Sequence, residues 1–134
     1  MEFAIGIVLG AVIALSTTAI GFARDRSFYP TVLIVIASYY GLFAVMGGSV
    51  RTLAIEAVPM AAFFGLAVAG FKRSGWLVAI GLFGHALFDF IHKDVIENVG
   101  VPLWWPGFCL AIDFTLGAFL SYYLLRSRRH DNAA

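Results

Sequence analysis

Hydrophobic residues fall in five long runs along this chain, and charged or turn-forming residues collect almost wholly between them. The runs cover roughly residues 2–23, 28–47, 52–71, 76–93 and 105–125, each near the ~20 residues that a helix needs to cross a bilayer. The breaks are short: Arg24-Asp25-Arg26, the turn from Gly47 to Arg51, Lys72-Arg73 with Ser74 and Gly75, and a longer segment from Lys93 to Trp104. A basic tail follows the last run. The pattern predicts an all-α, polytopic transmembrane bundle of about five helices, folded as one domain over residues 1–134.

Composition strengthens this reading. Of 134 residues, 61% are hydrophobic and 13% charged, with mean hydropathy +0.91; soluble domains carry about 25% charged residues. A multi-pass protein whose first partner is the lipid bilayer is expected. Net charge is +1 and the basic residues form no footprint, which argues against a nucleic-acid partner. The single cysteine, Cys109, excludes an intramolecular disulfide and a cysteine-only zinc site. The first run lacks a basic leader, so it reads as a retained span rather than a secretion signal.

Five crossings place the first loop, the third loop and the tail on one side. Arg24, Arg26, Lys72, Arg73, Arg126, Arg128 and Arg129 lie there, against Arg51 and Lys93 on the other. By the positive-inside rule the C-terminus is then cytoplasmic and the N-terminus outside, as in a bacterial inner (plasma) membrane. Trp104 and Trp105 anchor one interface and Trp76 the other.

The polar residues inside the runs carry the chemistry. His85, Asp89 and His92 fall within about 60° of one another on one helix, and ionisable groups in hydrocarbon are costly and seldom incidental. Counted from the outer span ends at ~1.5 Å per residue, Glu56, Asp89, His85 and Asp113 share a depth band about 6–12 Å inside the membrane, with His92 at its mouth. The expectation is one cavity, open to the outside, into which three helices send His or carboxylate groups.

Such a set suits a divalent metal, zinc or iron. His85 and His92 are ~10.5 Å apart along the axis, too far to share one ion, so one helix supplies at most two ligands. Asp89 becomes the centre, with His85, Glu56 and Asp113 as co-ligands or acid/base partners and His92 as a gate. A metal-bound water there could serve an enzyme acting on a lipid or other apolar substrate, with Asp89, Glu56 and Asp113 as the catalytic candidates. Two other readings remain open: a small channel or proton- or cation-coupled transporter, and an accessory subunit whose buried polar network joins helices. Haem is disfavoured because both span histidines share one helix, and retinal because Lys72 and Lys93 sit at span ends.

Several neighbours add detail. Pro59 should remove the bond to the Ile55 carbonyl and kink the helix beside Glu56. Tyr39 and Tyr40 are packing aromatics or donors to a buried carboxylate. Cys109 shares a face with Asp113. Gly6 and Gly10 form a close-packing motif that could join protomers in a homo-oligomer or dock another span. The loop from Asp94 to Pro106 reads as an interfacial turn, with a lid as the alternative.

On the stretch from Arg26 to Tyr40, the segment from Gly84 to His92, and Val101 to Cys109, the chain resembles a group of small uncharacterised bacterial integral membrane proteins. The resemblance covers most of the chain and implies no activity. It is more loosely similar to the intramembrane zinc hydrolases of the ceramidase and adiponectin-receptor type. It departs from these in having five spans rather than seven and no matching serine and histidine arrangement.

Overall fold

The structure is a computed structural model that describes residues 1–22 and 25–133, with side chains described through Arg129. Five helices follow one another: α1 Glu2–Ile20, α2 Phe28–Met46, α3 Val50–Lys72, α4 Gly75–Val95 and α5 Trp105–Ala133. The first four agree with the hydrophobic runs to within three residues. The fifth continues beyond its run, because a charged sequence can stay helical after leaving the apolar layer.

Local chemistry sets the turns. Ser49 accepts from the Thr52 N–H and Ser74 from the Trp76 N–H, which caps α3 and α4 and breaks the chain between spans. Gly21 ends α1 at φ 93°, a left-handed conformation in which a side chain would be strained. Helix α3 runs unbroken through Pro59.

All five helices are long and apolar enough to cross a membrane, so this is a multi-pass membrane protein. Its surface supports that independently. Val8, Val58, Leu87, Phe90 and Phe114 are each more than half exposed, while Glu56, His85, Asp89, His92 and Asp113 are buried. Apolar outside and ionisable inside is stable only where the solvent is hydrocarbon.

Helix α5 packs extensively on both α4 and α1, and α2 on α3, with α4 also meeting α3 and α2. The α1–α5 seam explains Gly6 and Gly10. A Cβ on Gly6 would lie 2.5 Å from the Phe108 carbonyl oxygen and 2.8 Å from the Ala111 Cβ, and one on Gly10 would lie 3.0 Å from the Thr115 Cβ. Of the two roles open to these glycines, docking a span within the chain is the one seen. Pairing protomers through them would require α5 to move away.

The interior changes character along the bundle axis. Toward the end bearing Arg73 and the tail it is apolar, built from Leu33, Val78, Leu82, Leu116 and Leu120. Toward the end bearing Asn98 it holds the ionisable groups.

Candidate functional site

Four helices and one loop build the polar interior, and each contributes for a local reason. On α4, the turn spacing of 85, 89 and 92 turns all three inward, because Gly81, Leu82 and Ala86 on the same face hold that stripe against its neighbours. Asp113 faces α4 from the buried stripe of α5 that includes Cys109, Ile112 and Leu116. Glu56 comes from α3 and Tyr40 from α2.

The groups divide into two sets. In the first, His85 donates through Nδ1 to Asp113 Oδ2 at 2.7 Å, and the same nitrogen lies 3.4 Å from Asp89 Oδ2. The Tyr40 hydroxyl donates to Asp89 Oδ1 at 2.6 Å, within the range for a bond to an ionised carboxylate. In the second, His92 donates through Nε2 to Glu56 Oε1 at 2.7 Å, and Asn98 donates from Nδ2 to that oxygen at 2.9 Å and to the Tyr40 carbonyl at 3.1 Å. Tyr40 links the sets: its ring stacks on His92 at 3.8 Å between centroids while its hydroxyl reaches Asp89. Phe63 stands edge-on to His85 at 4.9 Å, and Phe88 lies between both histidines, so the walls are aromatic.

This arrangement differs from the sequence expectation in three respects. Glu56, Asp89 and Asp113 do not meet at one point, since Glu56 pairs with His92 and leaves His85, Asp89 and Asp113 as a separate trio. The nitrogen of His85, rather than Asp89, stands at the middle of that trio. The groups are also buried, with residue exposures from 0% for Glu56 and Asp113 to 2% for His92, and among the described residues the trio lines none of the cavities described. The physical reason is the loop after α4. Its first part turns back over the bundle: Ile96 is buried, Gly100 packs against the Phe43 backbone, and Asn98 ties down the top of the second set. His92 and Asn98 do line a small outer pocket of about 230 Å³ beside Pro102 and Pro106.

Asn98 was not legible as a site residue. An asparagine two residues before a glycine in a loop reads as turn chemistry, and only the fold brings it to Glu56. Tyr40 was legible as a possible donor. Tyr39 instead faces Trp105 at 4.9 Å in an apolar groove between α1, α2 and α5 of about 400 Å³, which Cys109 also lines. His130 of the tail and Arg24 lie outside the described side chains.

Three ligand-type atoms, one each from His85, Asp89 and Asp113, lie within 4.8 Å of one another. Ligands ~2.0–2.2 Å from a common zinc-like ion stand about 3–3.5 Å apart, which the 3.4 Å between His85 Nδ1 and Asp89 Oδ2 matches, whereas the 2.7 Å to Asp113 Oδ2 is a hydrogen-bond length. His85 Nε2, Asp89 Oδ2 and Asp113 Oδ1 are buried with no hydrogen-bond partner. Buried polar atoms are rarely left so without a function or a bound species. Compared with models of known protein families, with curated proteins and with solved structures, the chain matches none.

Proposed function

We propose that His85, Asp89 and Asp113 form an intramembrane site for a divalent cation, and that the protein is a metal-dependent enzyme acting on a lipid or other apolar substrate. Charge carries this reading. Two carboxylates and one imidazole, each no more than 1% exposed, would with both carboxyls ionised carry a net charge of −2, or −1 with the imidazole protonated. Uncompensated charge in such surroundings costs several kcal/mol per ion. A divalent ion that takes the place of the Nδ1 proton, with the imidazole neutral, brings the trio to zero and gives the orphaned oxygens a partner. Tyr40 then holds Asp89 in place through its second oxygen, the role that outer hydrogen bonds play at metal sites. Three protein ligands leave a position for water or a substrate oxygen, the requirement for water activation or carbonyl polarisation. Substrate would come from the bilayer. The apolar groove lined by Ile36, Tyr39, Cys109 and Ile112 is where an acyl chain would lie, next in sequence to Tyr40 and Asp113 though none of the trio lines it.

In this reading the protein lies in a bacterial plasma membrane, with the Asn98 end outside and the basic end in the cytoplasm, as the distribution of Lys and Arg suggests.

Elemental analysis of the purified protein tests the site. About one zinc or iron per chain, lost in Asp113→Asn and Asp89→Ala, is expected; a folded wild-type protein that holds and takes up no metal sinks it.

One observation favours a second reading, transport of protons or a cation. Polar groups run in file from the outer pocket through Asn98, Glu56 and His92, then across Tyr40 to Asp89, His85 and Asp113. Two protons would neutralise the trio as well as one divalent ion does. Flux into proteoliposomes that Asp113→Asn abolishes would replace the enzyme reading with this one. Tight vesicles under proton and cation gradients would discard it. A protein without metal or flux that co-purifies with a larger partner and tolerates Asp89→Asn would be an accessory subunit.

A further inference from the structure

The basic end of the bundle contains a second site that the cation reading does not use. A cavity of about 490 Å³ opens where the α1–α2 loop, the α3–α4 turn and α5 come together. Three separate segments send one arginine each to its wall: Arg26, Arg73 and Arg128. None of the three pairs with a carboxylate among the described residues. Convergence of three like charges in excess of the nearby carboxylate is unfavourable unless an anion completes it.

Other donors point the same way. Trp76 Nε1 is buried without a hydrogen-bond partner beside this cavity. Arg128 lies 5.6 Å from the centre of the Trp76 ring, which holds its guanidinium near that N–H. The N-terminus of α4 begins here at Gly75, so its positive dipole end adds to the field, while Ser74 already takes the Trp76 and Leu77 N–H groups. Asp25 also lines the wall and works against this. Its Oδ1 accepts from the Ser27 N–H, which keeps its carboxyl ionised by holding it below the usual range, so it offsets one of the three positive charges.

The floor differs from the rim. Pro30, Val78 and Leu120 form it and are buried apolar residues on three spans, so the cavity is cationic at the membrane surface and greasy below. That gradient matches one class of ligand. We propose that the cavity binds an anionic phospholipid, with Arg26, Arg73, Arg128 and the Trp76 N–H on the phosphate and the first part of the chains on the apolar floor. A soluble phosphate ester offers the same phosphate chemistry but leaves the floor unused.

Native mass spectrometry of the full chain in a neutral detergent tests this, with phosphatidylglycerol, phosphatidylcholine and glycerol 3-phosphate as probes. One phosphatidylglycerol should bind per chain, about tenfold or more tighter than phosphatidylcholine. Arg73→Gln and Arg128→Gln should each weaken it by about tenfold, whereas Arg129→Gln, outside the cavity, should leave it unchanged. Displacement by equimolar glycerol 3-phosphate would assign the site to a soluble ester; its failure to compete assigns it to the lipid. Equal binding of the two lipids, or equal weakening by Arg129→Gln, would overturn the proposal as general charge attraction. Should the Arg73 variant not fold, the lipid preference of the wild-type chain decides alone.

Discussion

Tyr40→Phe isolates the bond that joins the two halves of the polar interior. The substitution keeps the ring stacked on His92 and in contact with Phe88, and removes only the hydroxyl that lies 2.6 Å from Asp89 Oδ1. A hydrogen bond to a charged group is worth about 1.5–3 kcal/mol in soluble proteins. Between helices in a bilayer the measured average is nearer 0.6 and the maximum about 1.7, because the unfolded chain in the membrane also finds partners. The short length and complete burial of Asp89 argue for the upper end of the membrane range, about 1–1.7 kcal/mol. A double-mutant cycle of Tyr40→Phe with Asp89→Asn, read by equilibrium unfolding in mixed detergent and SDS micelles, gives the coupling directly. The same variant should lower metal affinity about 10- to 100-fold, as loss of an outer-shell bond does elsewhere. A coupling below about 0.5 kcal/mol, with metal content unaltered, would show that Tyr40 neither steadies Asp89 nor serves the site.

Other outcomes follow from single features of the structure. Gly6→Val should destabilise the protein by about 1–3 kcal/mol by forcing α1 off α5, while Gly65→Ala, with open space around it, should be neutral or stabilising by up to about 1 kcal/mol; SDS unfolding separates them. Asn98→Ala should free the α4–α5 loop, raising hydrogen exchange at residues 96–101 while leaving α1 protected, and unchanged exchange would deny the tether. Cys109, only 3% exposed, should react with a maleimide about 100-fold slower in the folded protein than in SDS, and rapid labelling would contradict its burial.

The interior polar groups show where sequence reasoning reaches and stops. Their burial was legible, since an ionisable group inside an apolar run must turn away from hydrocarbon. Their pairing was not. His85 and Asp89, one turn apart, suggest a local pair, yet His85 makes its short bond to Asp113 on α5 and Asp89 is held by Tyr40 on α2. Glu56, at similar depth, is drawn to His92 instead, because α3 meets α4 along a different line from α5. Rotation of each helix about its own axis decides such partners, and it depends on which small residues permit close approach.

By itself, then, the sequence determined that five helices cross a membrane, where each begins, and which few residues are too polar to be incidental there. Those properties are local, set by hydrocarbon thickness, helix rise and the free energy of burying charge. The tertiary structure alone decided that the polar residues form a trio and a pair, that the loop after α4 closes over them, and that three arginines far apart in the chain surround one cavity. Such facts depend on contacts between spans, and the packing that creates them has no signature along a single helix.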